Sequence, residues 1–135
     1  MKRKVVLLIL ALATVFFACD NNSKKKIIGR YYLTTGEGRG NTFYLSYLID
    51  DEGTTVGVIE GSIAAYGYNS DYIVLSQYPY GGESVVNYYI VKVKKHYTYF
   101  PEKYMLGPLD RASFDKATKK YRIDHLELKS VKDLQ

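Results

Sequence analysis

The chain holds one cysteine, Cys19, and its position gives the thiol a specific chemistry. Lys2, Arg3 and Lys4 open the sequence. Val5 to Ala18 follows as an apolar run broken only by Thr14. A charged start, a short apolar stretch and a small residue before a cut make up a secretory signal. The run is 14 residues long, short of the roughly 17–25 that a bilayer-spanning helix needs. The layout predicts export with a cut near Ala18, or else an uncleaved anchor helix, and it leaves Cys19 beside the cut as a candidate attachment point. Other reactive groups are sparse. His96 and His125 are the only histidines, and no short ligand spacing joins them to each other or to a carboxylate. Ser46, Ser62 and Ser76 lack the G-x-S-x-G context of an activated serine. Glu60 and Asp71 could meet across strands as a carboxylate pair, the arrangement glycoside hydrolysis uses. Asp50-Asp51-Glu52 lacks the ligand spacing of a calcium loop. Gly36–Gly40 is no phosphate loop, because a strand pattern and no helix follows it. No cofactor and no metal is expected, and the balance leans away from an enzyme.

The stretch Phe16-Phe17-Ala18-Cys19 resembles the lipobox of bacterial lipoproteins, with Ala18 as the small residue before the cut. Phe16 stands where leucine is usual and Phe17 where a small residue is usual. The resemblance implies a lipid-anchored protein of the cell envelope, carrying palmitate or a similar acyl chain at Cys19. It would sit on an outer membrane or a cell surface. The expected organisation is a signal at 1–18, a lipidated tether at 19–26 and a single β-rich domain at 27–135. Lys24, Lys25 and Lys26 in the tether could lean on anionic headgroups. With the one cysteine on the anchor, no internal disulfide forms.

Formal net charge is +5, but Lys2, Arg3 and Lys4 leave with the signal, so 16 basic residues face 14 acidic ones. That balance and an exported address argue against nucleic acid as a partner. The charge is polarised: acidic residues dominate Ile27–Val91 and basic ones dominate Lys92–Gln135. The two parts are expected to pack together and cancel part of each other's field.

Strand and turn rhythm runs through most of the remainder. Arg30–Thr35 and Thr42–Ile49 come first, with Phe43, Leu45, Tyr47 and Ile49 on one face. Val56–Glu60, Ile63–Tyr68, Asp71–Tyr78 and Val85–Lys94 follow. Asn69-Ser70-Asp71 predicts a tight hairpin built on left-handed residues, and Pro79-Tyr80-Gly81-Gly82 another turn. Both faces of the last strand are apolar, with Tyr89, Val91 and Val93 on one and Tyr88 and Ile90 on the other. The sheet must therefore curl or be covered by the C-terminal part. His96–Pro108 reads as irregular. Asp110 caps a helix running to Tyr121, with Leu109 and Phe114 at the spacing of a hydrophobic staple. The fold expected is mainly β: an antiparallel meander, curled or barrel-like, with one C-terminal helix packed on it.

Fifteen tyrosines and no tryptophan mark the composition. Tyr66, Tyr68, Tyr72, Tyr78 and Tyr80 crowd one hairpin and its exit. They are the candidate contact surface for an envelope protein or glycan, against the alternative that the rings roof the core. Ile63–Pro79, Tyr88–Val93 and Gly107–Ile123 are similar to a family of small bacterial lipoproteins known only as a domain of unknown function. That resemblance implies the envelope address and no activity. The expected function is a membrane-anchored module that binds or inhibits a protein or glycan. The alternative is a small enzyme or accessory subunit acting on envelope sugars.

Overall fold

A computed structural model describes residues 24–36, 42–79, 84–96 and 98–134. Cys19 and the signal, most of the Gly36–Gly40 run, and Tyr80 with its glycines lie outside the described residues.

The chain is mainly β. Strands β1 (Lys24–Ile28), β2 (Tyr31–Thr35), β3 (Phe43–Leu48) and β4 (Thr55–Ile59) form one antiparallel sheet in that order. Strands β5 (Ser62–Tyr68), β6 (Tyr72–Tyr78), β7 (Asn87–Lys92), β8 (Met105–Leu109) and β9 (Lys129–Ser130) form a second, ordered β8-β7-β6-β5-β9. Helix α1 (Arg111–Lys120) precedes β9. The sheets are not closed into a barrel. Among the described residues no ladder joins β4 to β5, although only Glu60 and Gly61 separate them. Gly61 makes the change of sheet possible. It is buried at φ +104°, and a Cβ there would collide with the Gln77 side chain. The first sheet does curl, enough for Lys24 Nζ on β1 to donate to the Gly53 carbonyl ahead of β4.

Period-two patterning sets the core. Ile27, Leu33, Leu45 and Tyr47 of the first sheet pack against Ile63, Ile73, Leu75 and Val91 of the second. The opposite face of the second sheet is also covered. Val74 and Ile90 pack there with Phe114 of α1 and with Ile123, flanked by Tyr72, Tyr88, Leu109 and Leu126. That answers why β7 is apolar on both faces: Tyr89 and Val91 look into the sandwich, Ile90 toward the helix. The Asp110 carboxylate caps α1 by accepting from the Ser113 amide at 2.7 Å. That hydrogen bond holds the carboxyl below its usual range. Phe114 is 5% exposed, and its ring stacks on Tyr88 with centroids 4.8 Å apart.

Three elements differ from the sequence reading. Lys24–Lys26 are not tether. They belong to β1, with Lys24 opposite Thr34 and Lys26 opposite Tyr32. Their side chains are exposed on an edge strand, where lysine blocks pairing with another chain. The 105–109 stretch is not irregular but an edge strand, tolerating Pro108 because an edge position does not require every amide in a ladder. The β5–β6 hairpin closes without left-handed residues. Instead, Asn69 Oδ1 accepts from the amides of Asp71 and Tyr72, at 2.9 and 2.8 Å.

Candidate functional site

The hairpin register decides what the tyrosines can do. Tyr66 lies opposite Leu75 and Tyr68 opposite Ile73, so both rings sit on the face toward the first sheet. Tyr72 and Tyr78 have the other parity and share the helix-side face with Val74. The four described tyrosines, Tyr66, Tyr68, Tyr72 and Tyr78, therefore do not form one surface. Tyr66 is 8% exposed and belongs to the core, whereas Tyr68 is 46% exposed. Their rings are parallel within 2°, with centroids 6.3 Å apart. Tyr72 is half-buried and leans on Tyr121 of the helix terminus at 5.6 Å. Tyr78 is half-buried opposite Ser62.

The exposed face of Tyr68 borders a cleft of about 520 Å³ shared with Gly67, His125, Glu127 and Lys129. Its far wall exists because the chain after α1 crosses β5 closely. A Cβ on Gly67 would collide with the Glu127 carbonyl. Ile123, Leu126 and Leu128 turn into the helix-side core and pin this segment, and Lys129 then pairs with Tyr66 as β9 begins. His125, Glu127 and Lys129 stay exposed between those anchors. The cleft thus combines a flat aromatic ring with an imidazole, a carboxylate and an ammonium. It can stack on a ring-shaped ligand while donating and accepting hydrogen bonds at its edge. Sequence reasoning singled out Tyr68, weighed His125 only as a metal ligand, and did not raise Glu127 or Lys129. The available signal was Gly67, an isolated glycine inside a strand pattern, which marks a close backbone approach.

Two other depressions lie on the helix side. One, of about 380 Å³, has Tyr72, Lys92, Lys103 and Tyr121 in its wall. The other, of about 660 Å³, runs along α1 past Phe114, Asp115, Asp124 and Glu127. Asp115 is engaged by Arg111 at 3.0 Å.

The remaining candidates do not assemble. Glu60 and Asp71 stand at opposite ends of β5, whose seven residues span about 23 Å, so they form no carboxylate pair. Asp71 instead faces Lys95 at 3.4 Å. Asp50-Asp51-Glu52 is a solvated turn. Hydrogen bonds from Thr54, and from the Glu52 amide, hold the Asp50 carboxyl below its usual range, and Asp51 meets Arg30 at 3.0 Å. Among the described residues no group of three or more His, Cys, Asp or Glu could hold a metal ion. None of the described helices is long and apolar enough to cross a membrane. Inside the sandwich, burial and the neighbouring Tyr47 push the Tyr31 hydroxyl up to about 12, so it stays neutral.

Compared with protein-family models, curated proteins and solved structures, the chain matches none of them.

Proposed function

We propose that this chain is a lipid-anchored module of the cell envelope that binds a glycan on the Tyr68 cleft. The anchor rests on the layout of residues 1–19, with Cys19 as the acylated residue. The observation that carries the binding half is the exposed Tyr68 ring, backed by Tyr66, beside His125, Glu127 and Lys129. A sugar presents a flat C–H face and a rim of hydroxyls. The ring suits the face, and the three polar side chains suit the rim. The open shape of the cleft, with Glu127 as the one carboxylate among its described lining residues, favours holding a ligand over cleaving it.

Titration of the protein with envelope oligosaccharides tests the binding half. Tyr68→Ala should weaken binding at least tenfold, about 1.4 kcal/mol, and leave the melting temperature nearly unchanged. Unaltered affinity, or no glycan bound by the unsubstituted protein, overturns the glycan reading. Intact mass of membrane-extracted protein tests the anchor, and an unmodified Cys19 thiol overturns it.

A further inference from the structure

We infer that the turn carrying Tyr99 and Phe100 is a second membrane contact, which docks on an anionic lipid surface beside the Cys19 anchor. This rests on the anchor half of the proposed function and is independent of the glycan half. Tyr99 and Phe100 are 69% and 55% exposed, the most exposed large aromatic side chains described. They are not on a loose strand end. Pro101 behind them is fully buried and starts a short 3-10 turn, Pro101–Tyr104. The Phe100 amide donates to Thr98 Oγ1 at 3.2 Å. The tip is thus held out from the body by a buried foot.

Its surroundings are cationic. Lys103 Nζ lies 4.4 Å from the centre of the Phe100 ring, and Lys94 Nζ lies 3.9 Å from that of Tyr104. Lys92 and Lys95 are exposed nearby in the chain, and Glu102 is the one carboxylate of the 92–104 stretch. Asp71 neutralises part of Lys95 from the neighbouring hairpin. Aromatic rings flanked by lysines have the composition of a membrane interface, where rings sit at headgroup depth and ammonium groups meet phosphates.

The attachment geometry identifies the occupant as lipid. Because β1 starts at Lys24, Cys19 and the folded body are five residue steps apart, at most about 17 Å of chain. The domain therefore cannot drift far from the bilayer. Lys24 reaches Gly53, just ahead of β4, and the Pro101–Tyr104 turn packs on β4. The point where the chain enters the domain and the foot of the aromatic tip thus both lie in the neighbourhood of β4. One acyl anchor gives marginal attachment, and a second, basic contact makes it durable.

The absence of tryptophan supplies the assay. In the full-length protein, Phe100→Trp places a single reporter at the tip. Val85→Trp places one on another exposed apolar residue, before the opposite end of β7. Each is mixed with vesicles of phosphatidylglycerol and brominated phosphatidylcholine, and with brominated phosphatidylcholine alone. The expected result is a blue shift and at least about twofold quenching for Phe100→Trp on anionic vesicles, weakened by salt, with Val85→Trp unchanged. Co-flotation with equal quenching of both reporters, or with none, overturns the docking and leaves the anchor standing. Lack of flotation with an unmodified Cys19 overturns the anchor. The tip is then read on that same chain at vesicle excess, where absent quenching overturns the docking too.

Discussion

Removing the Phe114 ring tests how α1 is held. Phe114 is 5% exposed, stacked on Tyr88, and grouped with Val74, Ile90 and Ile123. A buried aromatic side chain removes about 150–250 Å² from water. At about 25 cal/mol per Å² that is roughly 4–6 kcal/mol, of which the remaining methyl keeps about 1. Large-to-small substitutions of this kind cost about 3–5 kcal/mol, less where the site can collapse. Here the ring borders the depression along α1, so the vacated space opens toward solvent and the walls can relax. The expected loss for Phe114→Ala is therefore at the lower end, about 3 kcal/mol. Urea unfolding followed by circular dichroism and tyrosine fluorescence measures it, with the slope fitted separately. A loss under about 1 kcal/mol would show that α1 contributes little to the fold. An unchanged midpoint with a lower slope would show that α1 undocks independently, which also refutes the calculation.

Gly67→Ala should destabilise by about 1–3 kcal/mol through its collision with Glu127 and should raise hydrogen exchange in residues 125–130. A stabilised protein would mean the crossing is loose, since glycine-to-alanine changes without a clash gain about 0.4–1 kcal/mol. Tyr47 Oη is buried with no hydrogen-bond partner among the described residues, so Tyr47→Phe should stabilise by about 1 kcal/mol in the same melts. A loss of that size refutes it. The Asp50 and Asp110 carboxyls are both held below their usual range. Their stability contribution is present above about pH 4 and is lost as pH falls through the lowered folded-state values. Asp110→Asn keeps a capping oxygen and should flatten the acid arm of a melting-temperature profile, and an unaltered arm counts against the cap.

What the sequence made legible follows from how local each signal is. Period two assigned Phe43, Leu45 and Tyr47 to one buried face, and the Asp110 cap with the Leu109–Phe114 spacing located α1 within a residue. Edge strands were harder, because their residues report solvent rather than partners. The exposed lysines of β1 look like a spacer, and Gly107-Pro108 in β8 looks like a break. Closure of the sheet was undecidable from patterning, since a barrel and two packed sheets bury the same alternate residues. The described members of the tyrosine cluster divide by parity. Tyr66 with Tyr68, and Tyr72 with Tyr78, are each in phase within a strand. The hairpin sets Asn69 against Tyr72, and that places the second pair on the opposite face.

The same alternation explains why the cleft and the helix form one mechanical unit. From Ile123 to Leu128 the chain lacks regular structure, yet its apolar and polar side chains take different roles. Ile123, Leu126 and Leu128 pack on the core that Phe114 fills, while His125, Glu127 and Lys129, with the edge of Leu126, line the Tyr68 cleft. No ladder holds this stretch before β9 pairs with β5. Its position is therefore set by apolar anchoring on one side and the Gly67 contact on the other. A loss of packing around Phe114 should displace the polar wall of the cleft without touching any residue in it. Phe114→Ala should thus weaken a Tyr68-dependent ligand even at temperatures where the protein remains folded. Full retention of affinity would show that Gly67 and β9 alone hold the wall, and that the ligand site is independent of the helix.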